Sequence, residues 1–195
     1  MDAEEIEQLF ERVGAVRHGH FELSSGRHSS TYVQCALVLQ HPESAETLGR
    51  ALAAKFKDVQ IDCVASPALG GVLVGHEVAR RLGVRAVFVE RDTSGRMALR
   101  RGFAFQPRER VLVVEDVWTT GGSTRETIGV VEQAGGIAVA AGALIDRSGN
   151  RLELSVPTRA LIEINIPSYE AVECPLCRAG QEIAKPGSHF VRSEM

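Results

Sequence analysis

The chain has 195 residues, of which 44% are hydrophobic, 24% charged and 5% aromatic, and its formal net charge is −3 at pH 7. This length suits one domain with a sizeable core, and the mild negative charge excludes the basic footprint of a non-specific nucleic-acid binder. An acidic N-terminus without a signal-peptide pattern, and no apolar run long enough for a bilayer, lead us to expect a soluble cytoplasmic protein that contacts no membrane.

The first 57 residues predict a helix, a hairpin and a second helix. Apolar residues recur at helical spacing between residues 2 and 13. Alternation at 20–23, a Ser-Ser-Gly-Arg turn and an apolar stretch at 31–38 together predict a β-hairpin. Pro42 stands where a helix can begin, and residues 42–57 carry apolar side chains on one face.

From residue 61 onward, predicted strands alternate with predicted helices. We expect strands at 61–65, 86–89, 111–114, 137–145 and 159–164, and helices at 72–82 and 122–134. Between them, the arginine-rich segment 91–101 has no apolar period and is interpreted as a flexible excursion. The alternation predicts an α/β fold, a doubly wound and mostly parallel sheet with helices on both faces.

The predicted organisation is a single domain over residues 1–195. Within it, residues 1–40 form an N-terminal helix and a small hood made by the hairpin. Residues 60–165 form the core sheet, and residues 166–195 form a polar, loop-like C-terminal tail.

The most polar, glycine-rich turn is Glu-Asp-Val-Trp-Thr-Thr-Gly-Gly-Ser-Thr at 115–124, directly after the strand at 111–114. Ligands of such sheets bind beyond the carboxyl ends of the strands. Small residues allow a ligand close to the backbone, and the amides that start the next helix favour an anion. Neither a P-loop nor a GxGxxG motif is present, and two adjacent acids suit ribose hydroxyls and a divalent metal. The turn therefore predicts a site for a 5-phosphoribosyl group.

Residues 111–123 resemble the phosphoribosyl pyrophosphate signature of the type I phosphoribosyltransferases, which has four apolar residues, two acids and a Thr/Gly-rich loop. Two further segments resemble the orotate phosphoribosyltransferases of that family. Residues 21–29 are similar to its hairpin that caps the base, and Asp146-Arg147 is similar to the pair whose arginine holds the orotate carboxylate. The loop 66–71 corresponds to the family's pyrophosphate site. The similarity extends from about residue 15 to about residue 165.

The resemblance implies transfer of a phosphoribosyl group from phosphoribosyl pyrophosphate to orotate in pyrimidine biosynthesis, giving orotidine 5′-monophosphate and pyrophosphate. It assigns catalytic roles to Glu115, Asp116, Arg91 and Arg96, and Mg²⁺ held mainly by the substrate with help from the two acids. It also implies a homodimer in which the loop 91–101 reaches the neighbouring subunit's site. The substrate-binding residues that it implies are Val117, Trp118, Thr119, Thr120, Gly121, Gly122, Ser123, Arg147, Ala68, Leu69 and Gly70.

This sequence departs from the better-known family pattern in three places. The loop 91–101 carries arginines without the usual lysines and histidine, the loop 66–71 lacks its lysine, and Ser24 replaces another lysine. Arginine can take over charge neutralisation. Two alternatives stay open, a purine or xanthine phosphoribosyltransferase and a non-catalytic regulator that binds phosphoribosyl pyrophosphate. Trp118 is interpreted as a packing residue beneath the loop.

The cysteines and histidines give no complete ligand pattern along the chain. Cys35 and Cys63 are expected to be buried thiols. Cys174-Pro175-Leu176-Cys177 is half a zinc knuckle without a second half, to which His189 could add a ligand, but a local turn is favoured and a labile disulfide stays open. The six histidines have no ligand spacing and are interpreted as surface or packing residues.

Overall fold

The computed structural model describes residues 1–23, 25–149, 151–164 and 166–186. The helices are α1 Ala3–Arg12, α2 Ala36–Leu39, α3 Pro42–Ala54, α4 Gly70–Leu82, α5 Gly122–Gln133 and α6 Pro175–Arg178, with a 3-10 turn at Ala171–Glu173. The strands are β1 Val16–Glu22, β2 His28–Val33, β3 Cys63–Pro67, β4 Arg85–Arg91, β5 Met97–Leu99, β6 Arg110–Trp118, β7 Ile137–Asp146, β8 Thr158–Glu163 and β9 Ser168–Tyr169.

Six strands form the main sheet in the order β5-β4-β3-β6-β7-β8. All neighbours pair in parallel except β5, which runs antiparallel to β4 at one edge. The prediction of a doubly wound, mostly parallel α/β sheet is therefore confirmed. Leu112 and Val114 of β6 join the core under α3 and α4, whereas Val111 and Val113 join the core under α5. Helices cover both faces because successive strand residues point to opposite sides.

A smaller three-stranded antiparallel sheet, β1-β2-β9, forms the hood. The predicted hairpin at residues 20–38 is confirmed in its first part, but the second strand ends at Val33. Residues 36–39 (Ala-Leu-Val-Leu) form the short helix α2, because a short apolar run suits a buried strand and a buried helix equally well. The third strand, β9, comes from the C-terminal tail, so the tail is not simply a loop.

The segment 91–101 is more ordered than its composition predicts. Residues Met97–Leu99 pair with β4 as a hairpin. Its turn is closed by Asp92, whose Oδ1 accepts hydrogen bonds from the amides of Ser94 at 2.8 Å and Arg96 at 3.1 Å. This Asx-type turn chemistry, with Gly95 at φ +81°, explains why a stretch without hydrophobic period still pairs.

Cys35 and Cys63 are both buried thiols, as predicted. Within the described ranges, none of the helices has the length and apolar character needed to cross a bilayer.

Candidate active site

Three loops meet at one edge of the main sheet, because β3, β6 and β7 are parallel and end side by side. A Cβ atom placed on Gly70 would lie 2.8 Å from the carboxylate oxygens of Asp116, so only glycine permits this approach. The amide of Arg147 donates to the carbonyl of Trp118 at 2.8 Å. The loops border a cavity of about 700 Å³, a usual size for a small-molecule site.

The walls of this cavity combine loops of the main sheet with parts of the hood and the tail. The residues that line it are Glu22, Leu23, Tyr32, Val33, Gln34, Ala36, Leu39, Leu69, Gly70, Leu73, Asp116, Val117, Thr119, Arg147, Lys185 and Pro186.

Glu115, which is buried, and Asp116, which is half-buried, form a pair of acids near the end of β6. Oε1 of Glu115 accepts from the amide of Asp116 at 3.1 Å, and Oδ1 of Asp116 accepts from the amide of Val117 at 2.8 Å. Burial raises the pKa of both carboxyl groups, and the neighbouring charge of Asp116 raises the pKa of Glu115 further. Asp116 faces the cavity, whereas Glu115 lies beneath the start of α4, so a ligand that pairs with Asp116 also relieves the repulsion within the pair.

The turn after the acids leaves its backbone open to a ligand. The indole of Trp118 is buried and donates from Nε1 to Oγ1 of Thr124 at 2.9 Å, which confirms its interpretation as a packing residue. Thr119 and Thr120 are exposed, and Gly121 has φ +70° at the residue before α5. Among the described residues no side chain caps this helix start. Its first amides are therefore available to an anion.

Arg147 follows β7 and lines the cavity beside Tyr32. Its Nε is buried without a hydrogen-bond partner in the described part of the chain, and its Nη2 reaches the carbonyl of Thr31 only at 3.5 Å. Burial lowers the pKa of the guanidinium, and the neighbours that oppose this shift are Cys35 and Tyr32. A positive group held in this way favours an anionic ligand in the cavity.

The loop 68–70 lies opposite the acid pair. The Ala68 amide donates to the carbonyl of Val89 at 2.8 Å, the Ala68–Leu69 peptide bond is cis, and α4 begins at Gly70. Leu69 is exposed and lines the cavity together with Gly70.

Arg91 and Arg96 lie apart from this cavity. Arg91 pairs with Glu126 of α5 at 2.9 Å. The Arg96 side chain is 82% exposed and lies 3.8 Å from Asp92. The cavity thus brings together Leu69, Gly70, Asp116, Val117, Thr119 and Arg147, but neither of these arginines.

The hood and the tail add residues to the cavity that the sequence did not single out. Glu22 of β1 forms an ion pair with Lys185 of the tail at 2.6 Å, and both line the cavity. These residues are separated by 163 positions and belong to no motif, so no local signal could have joined them.

The histidine and cysteine interpretation needs a correction. His20 and His28 are buried, as the packing interpretation allows, but their ring nitrogens face the sulfurs of Cys174 and Cys177, a grouping that the spacing along the chain did not predict. The hood hairpin therefore places two histidines beside the two cysteines of the Cys-Pro-Leu-Cys segment, which by itself has only half the ligands of a zinc knuckle. His189 lies outside the described residues.

Comparisons with known proteins agree with this architecture. The family model of the phosphoribosyl transferase domain matches residues 36–175. The orotate phosphoribosyltransferase of Pelotomaculum thermopropionicum is 52% identical over 98% of this chain and 100% of its own length, and that of Thermotoga maritima is 45% identical over 96% and 100%.

Solved structures agree as well. The crystal structure of orotate phosphoribosyltransferase from Aeropyrum pernix superposes with a TM-score of 0.69 at 29% identity, covering 82% of this chain and 93% of that one. The Mycobacterium tuberculosis enzyme in complex with 5-phospho-alpha-D-ribosyl 1-diphosphate gives a TM-score of 0.66 at 25% identity, covering 82% and 94%. With its acid pair, glycine-rich turn and type I fold, this chain belongs to the phosphoribosyltransferase family, within its orotate phosphoribosyltransferase group.

Proposed function

We propose that the chain transfers the 5-phosphoribosyl group of phosphoribosyl pyrophosphate to orotate in pyrimidine biosynthesis. The observation that carries the proposal is that Asp116, Thr119 of the anion-favouring turn and Arg147 line one cavity. Sugar hydroxyls, a phosphate and a carboxylate are the three groups that these features suit. The relatives of about 50% identity over nearly the full chain are named for this reaction.

In the proposed reaction, a ring nitrogen of orotate forms a bond to the anomeric carbon as the bond to pyrophosphate breaks. Arg147 pairs with the orotate carboxylate through parallel hydrogen bonds and so orients the attacking ring. Asp116 accepts hydrogen bonds from the ribose hydroxyls, and the amides of residues 119–123 hold the 5′-phosphate. The backbone of 68–70 borders the leaving pyrophosphate. Catalysis then comes mainly from positioning and from electrostatic stabilisation.

The acid pair fits a Mg²⁺ requirement. Carboxylate oxygens are the ligands that this hard cation prefers. Burial raises the pKa of Glu115 and of Asp116, and no positively charged side chain of the described residues opposes either shift. When bound with the substrate, Mg²⁺ would neutralise charge that develops on pyrophosphate. Glu115 and Asp116 would hold it only in part, since the substrate's own oxygens supply most of the ligands.

The proposal includes a homodimer of single-domain, cytoplasmic chains in which the loop 91–101 works in the partner's site. Support comes from the β4–β5 hairpin, which forms one edge of the main sheet and leaves the Arg96 side chain in solvent. An arginine from a second subunit would supply the cation that the pyrophosphate side of this cavity does not obtain from the described residues of its own chain.

A turnover assay tests the reaction directly. Purified protein is given phosphoribosyl pyrophosphate with orotate, xanthine or adenine, each with and without Mg²⁺. Of the three bases, we expect only orotate to be turned over, and only when Mg²⁺ is present. Preferential turnover of xanthine or adenine would show that a purine, and not orotate, is the acceptor base. Tight binding of phosphoribosyl pyrophosphate without turnover of any base would favour a regulatory protein.

Subunit mixing tests the loop in trans. Arg147→Ala and Arg96→Ala chains are unfolded together, refolded as a mixture and assayed at an orotate concentration well below the KM of the Arg147→Ala variant, where each variant alone should be nearly inactive. Because half of randomly formed dimers are mixed and each then has one intact site, about a quarter of the wild-type activity should return. An unchanged, near-zero activity in confirmed mixed dimers would show that each chain uses its own loop.

A further inference from the structure

Four side chains with metal-binding atoms converge between the hood and the tail, outside the proposed active site. His20 and His28 come from the paired strands β1 and β2, and Cys174 and Cys177 flank the start of α6. The ligand atoms all lie within 4.8 Å of one another. Two segments that are about 150 residues apart in the chain thus present two nitrogens and two sulfurs to one point.

Four of the six separations between these atoms are close to the edges of a tetrahedron around one ion, and the other two are no longer than 4.8 Å. His20 Nε2 lies 3.0 Å from His28 Nδ1, 3.5 Å from Cys174 Sγ and 3.6 Å from Cys177 Sγ, and Cys177 Sγ lies 3.2 Å from His28 Nδ1. Tetrahedral zinc with Zn–N of about 2.05 Å and Zn–S of about 2.3 Å places two nitrogens about 3.3 Å apart and nitrogen and sulfur about 3.6 Å apart. A hydrogen bond between the imidazoles explains one of these edges but not the approach of both sulfurs.

The surrounding contacts prepare His20 as a ligand. Its Nδ1 lies 2.9 Å from the carbonyl oxygen of Gln181, which can only accept a hydrogen bond. The ring proton of neutral His20 is therefore on Nδ1, and the lone pair of Nε2 faces the cluster. Outer hydrogen bonds to carbonyl groups orient metal-binding histidines in this way.

Burial and charge also favour a cation at this point. His20 is 5% exposed, His28 8% and Cys174 0%, whereas Cys177 is exposed, so the cluster is removed from water except on the side of Cys177. Two thiolates and two neutral imidazoles around a divalent ion give no net charge, which lowers the cost of burial. Sulfur and imidazole ligands in tetrahedral arrangement select zinc rather than magnesium or calcium.

We propose that His20, His28, Cys174 and Cys177 bind a structural Zn²⁺ that fastens the C-terminal tail to the hood. On binding, the two cysteine thiols release their protons to solvent, and all four coordination positions are filled by protein. The ion has no open position for substrate, so its role is structural.

The Zn²⁺ site would also fix the position of one wall of the active-site cavity. Beyond the cysteines, the tail runs beside β1, where the amide of Ala184 donates to the carbonyl of His20 at 2.8 Å and the amide of Glu22 donates to the carbonyl of Ala184 at 2.9 Å. Lys185 and Pro186 follow and line the cavity. Zinc therefore restricts the tail immediately before the residues that reach the cavity.

Metal analysis of the purified, untagged full-length chain tests the proposal. We expect about one zinc per wild-type chain. Cys177→Ser and His28→Asn should retain less than about a fifth of that content, because three ligands hold the ion less tightly. Two matched controls, His18→Asn on the exposed side of β1 and Cys63→Ala in the core, should keep the full content.

Cobalt substitution gives a readout that does not require any variant to fold. Wild-type protein stripped of zinc and given Co²⁺ should develop a thiolate-to-cobalt charge-transfer band and the intense visible bands of a tetrahedral site. The proposal is overturned if the wild-type chain neither contains zinc nor takes up Co²⁺ with these bands, or if Cys177→Ser keeps a full zinc. It is also overturned if thiol titration of the denatured, unreduced chain finds two free thiols instead of four, since the cysteines would then form a disulfide.

Discussion

The two walls of the cavity are built in opposite ways. The sheet wall takes its acid pair from adjacent residues and its turn from the next few, and the loop 68–70 and Arg147 join it because parallel strands end side by side. The hood wall joins Glu22 and Tyr32 of the N-terminal hairpin to Lys185 of the tail. Most functional residues of the sheet wall can therefore be recognised from local sequence patterns, whereas almost none of those in the hood wall can.

The walls also differ in how firmly they hold charge. In the sheet wall, burial raises the pKa of Asp116 and lowers the pKa of Arg147, and both shifts favour the neutral form of the side chain. The Glu22–Lys185 pair of the hood wall is partly exposed to solvent, where ion pairs contribute little. We therefore expect substitutions in the sheet wall to affect turnover far more than substitutions in the hood wall.

The largest effect is expected for Asp116→Asn. The amide keeps the shape of the side chain but replaces a charged acceptor of two ribose hydroxyls. At about 1.5–3 kcal/mol for each charge-assisted hydrogen bond, kcat/KM should fall about 100-fold or more. Steady-state kinetics measure the loss, and circular dichroism checks that the fold is kept. Glu132→Gln, an exposed acid on α5, is the control and should leave kcat/KM unchanged; an active Asp116→Asn protein would contradict the proposed role of the sheet wall.

The next effect is expected for Arg147→Ala. Loss of the paired hydrogen bonds to the orotate carboxylate should raise the KM for orotate about 10- to 100-fold, with a smaller change in the KM for phosphoribosyl pyrophosphate. Initial rates with each substrate varied in turn separate the two constants. Arg12→Ala on the exposed face of α1 serves as the control. Equal increases in both KM values would mean that Arg147 does not select the base.

A smaller effect is expected for Lys185→Ala. This substitution removes the exposed ion pair with Glu22, so the KM for the substrates should rise only about two- to fivefold, consistent with less than about 1 kcal/mol. The comparison is made with Lys57→Ala, a surface lysine away from the cavity. If Lys185→Ala lowered kcat/KM as much as Asp116→Asn, the two walls would not differ in this way, and Lys185 would take a direct part in the reaction.

The smallest effect concerns stability and pH. Glu115 and Asp116 have higher pKa values in the folded chain than in the unfolded chain. Their contribution to stability is therefore fully present below about pH 4, where both groups are protonated. It is lost as the pH rises through the raised pKa values of the folded chain. Glu115→Gln stays uncharged, and at about pH 8 its Tm should exceed that of the wild type by a few degrees. The difference should shrink toward acidic pH. Thermal melts across this range, with Glu132→Gln alongside, measure it, and a difference independent of pH would contradict the shifted pair.

The parts of the fold that could be predicted from sequence are those with strong local signals. The continuous apolar run of β6 and the apolar periods of α1, α4 and α5 predict elements close to those observed. The hairpin at 91–101 was missed because Asp92 closes its turn through a side chain, which leaves no hydrophobic pattern. The short helix α2 was taken for strand because four apolar residues fit either structure.

By itself, the sequence predicted the α/β alternation, a turn after the strand with the two acids, which the structure confines to residues 119–121, and the position of Arg147 directly after a strand. These features depend on residues within a few positions of each other, so composition and order are sufficient. Only the tertiary structure decided that His20 and His28 face Cys174 and Cys177, and that Lys185 reaches the cavity. Such contacts form when the hood and the tail meet across about 150 residues, and no periodicity along the chain records which distant segments will share a surface.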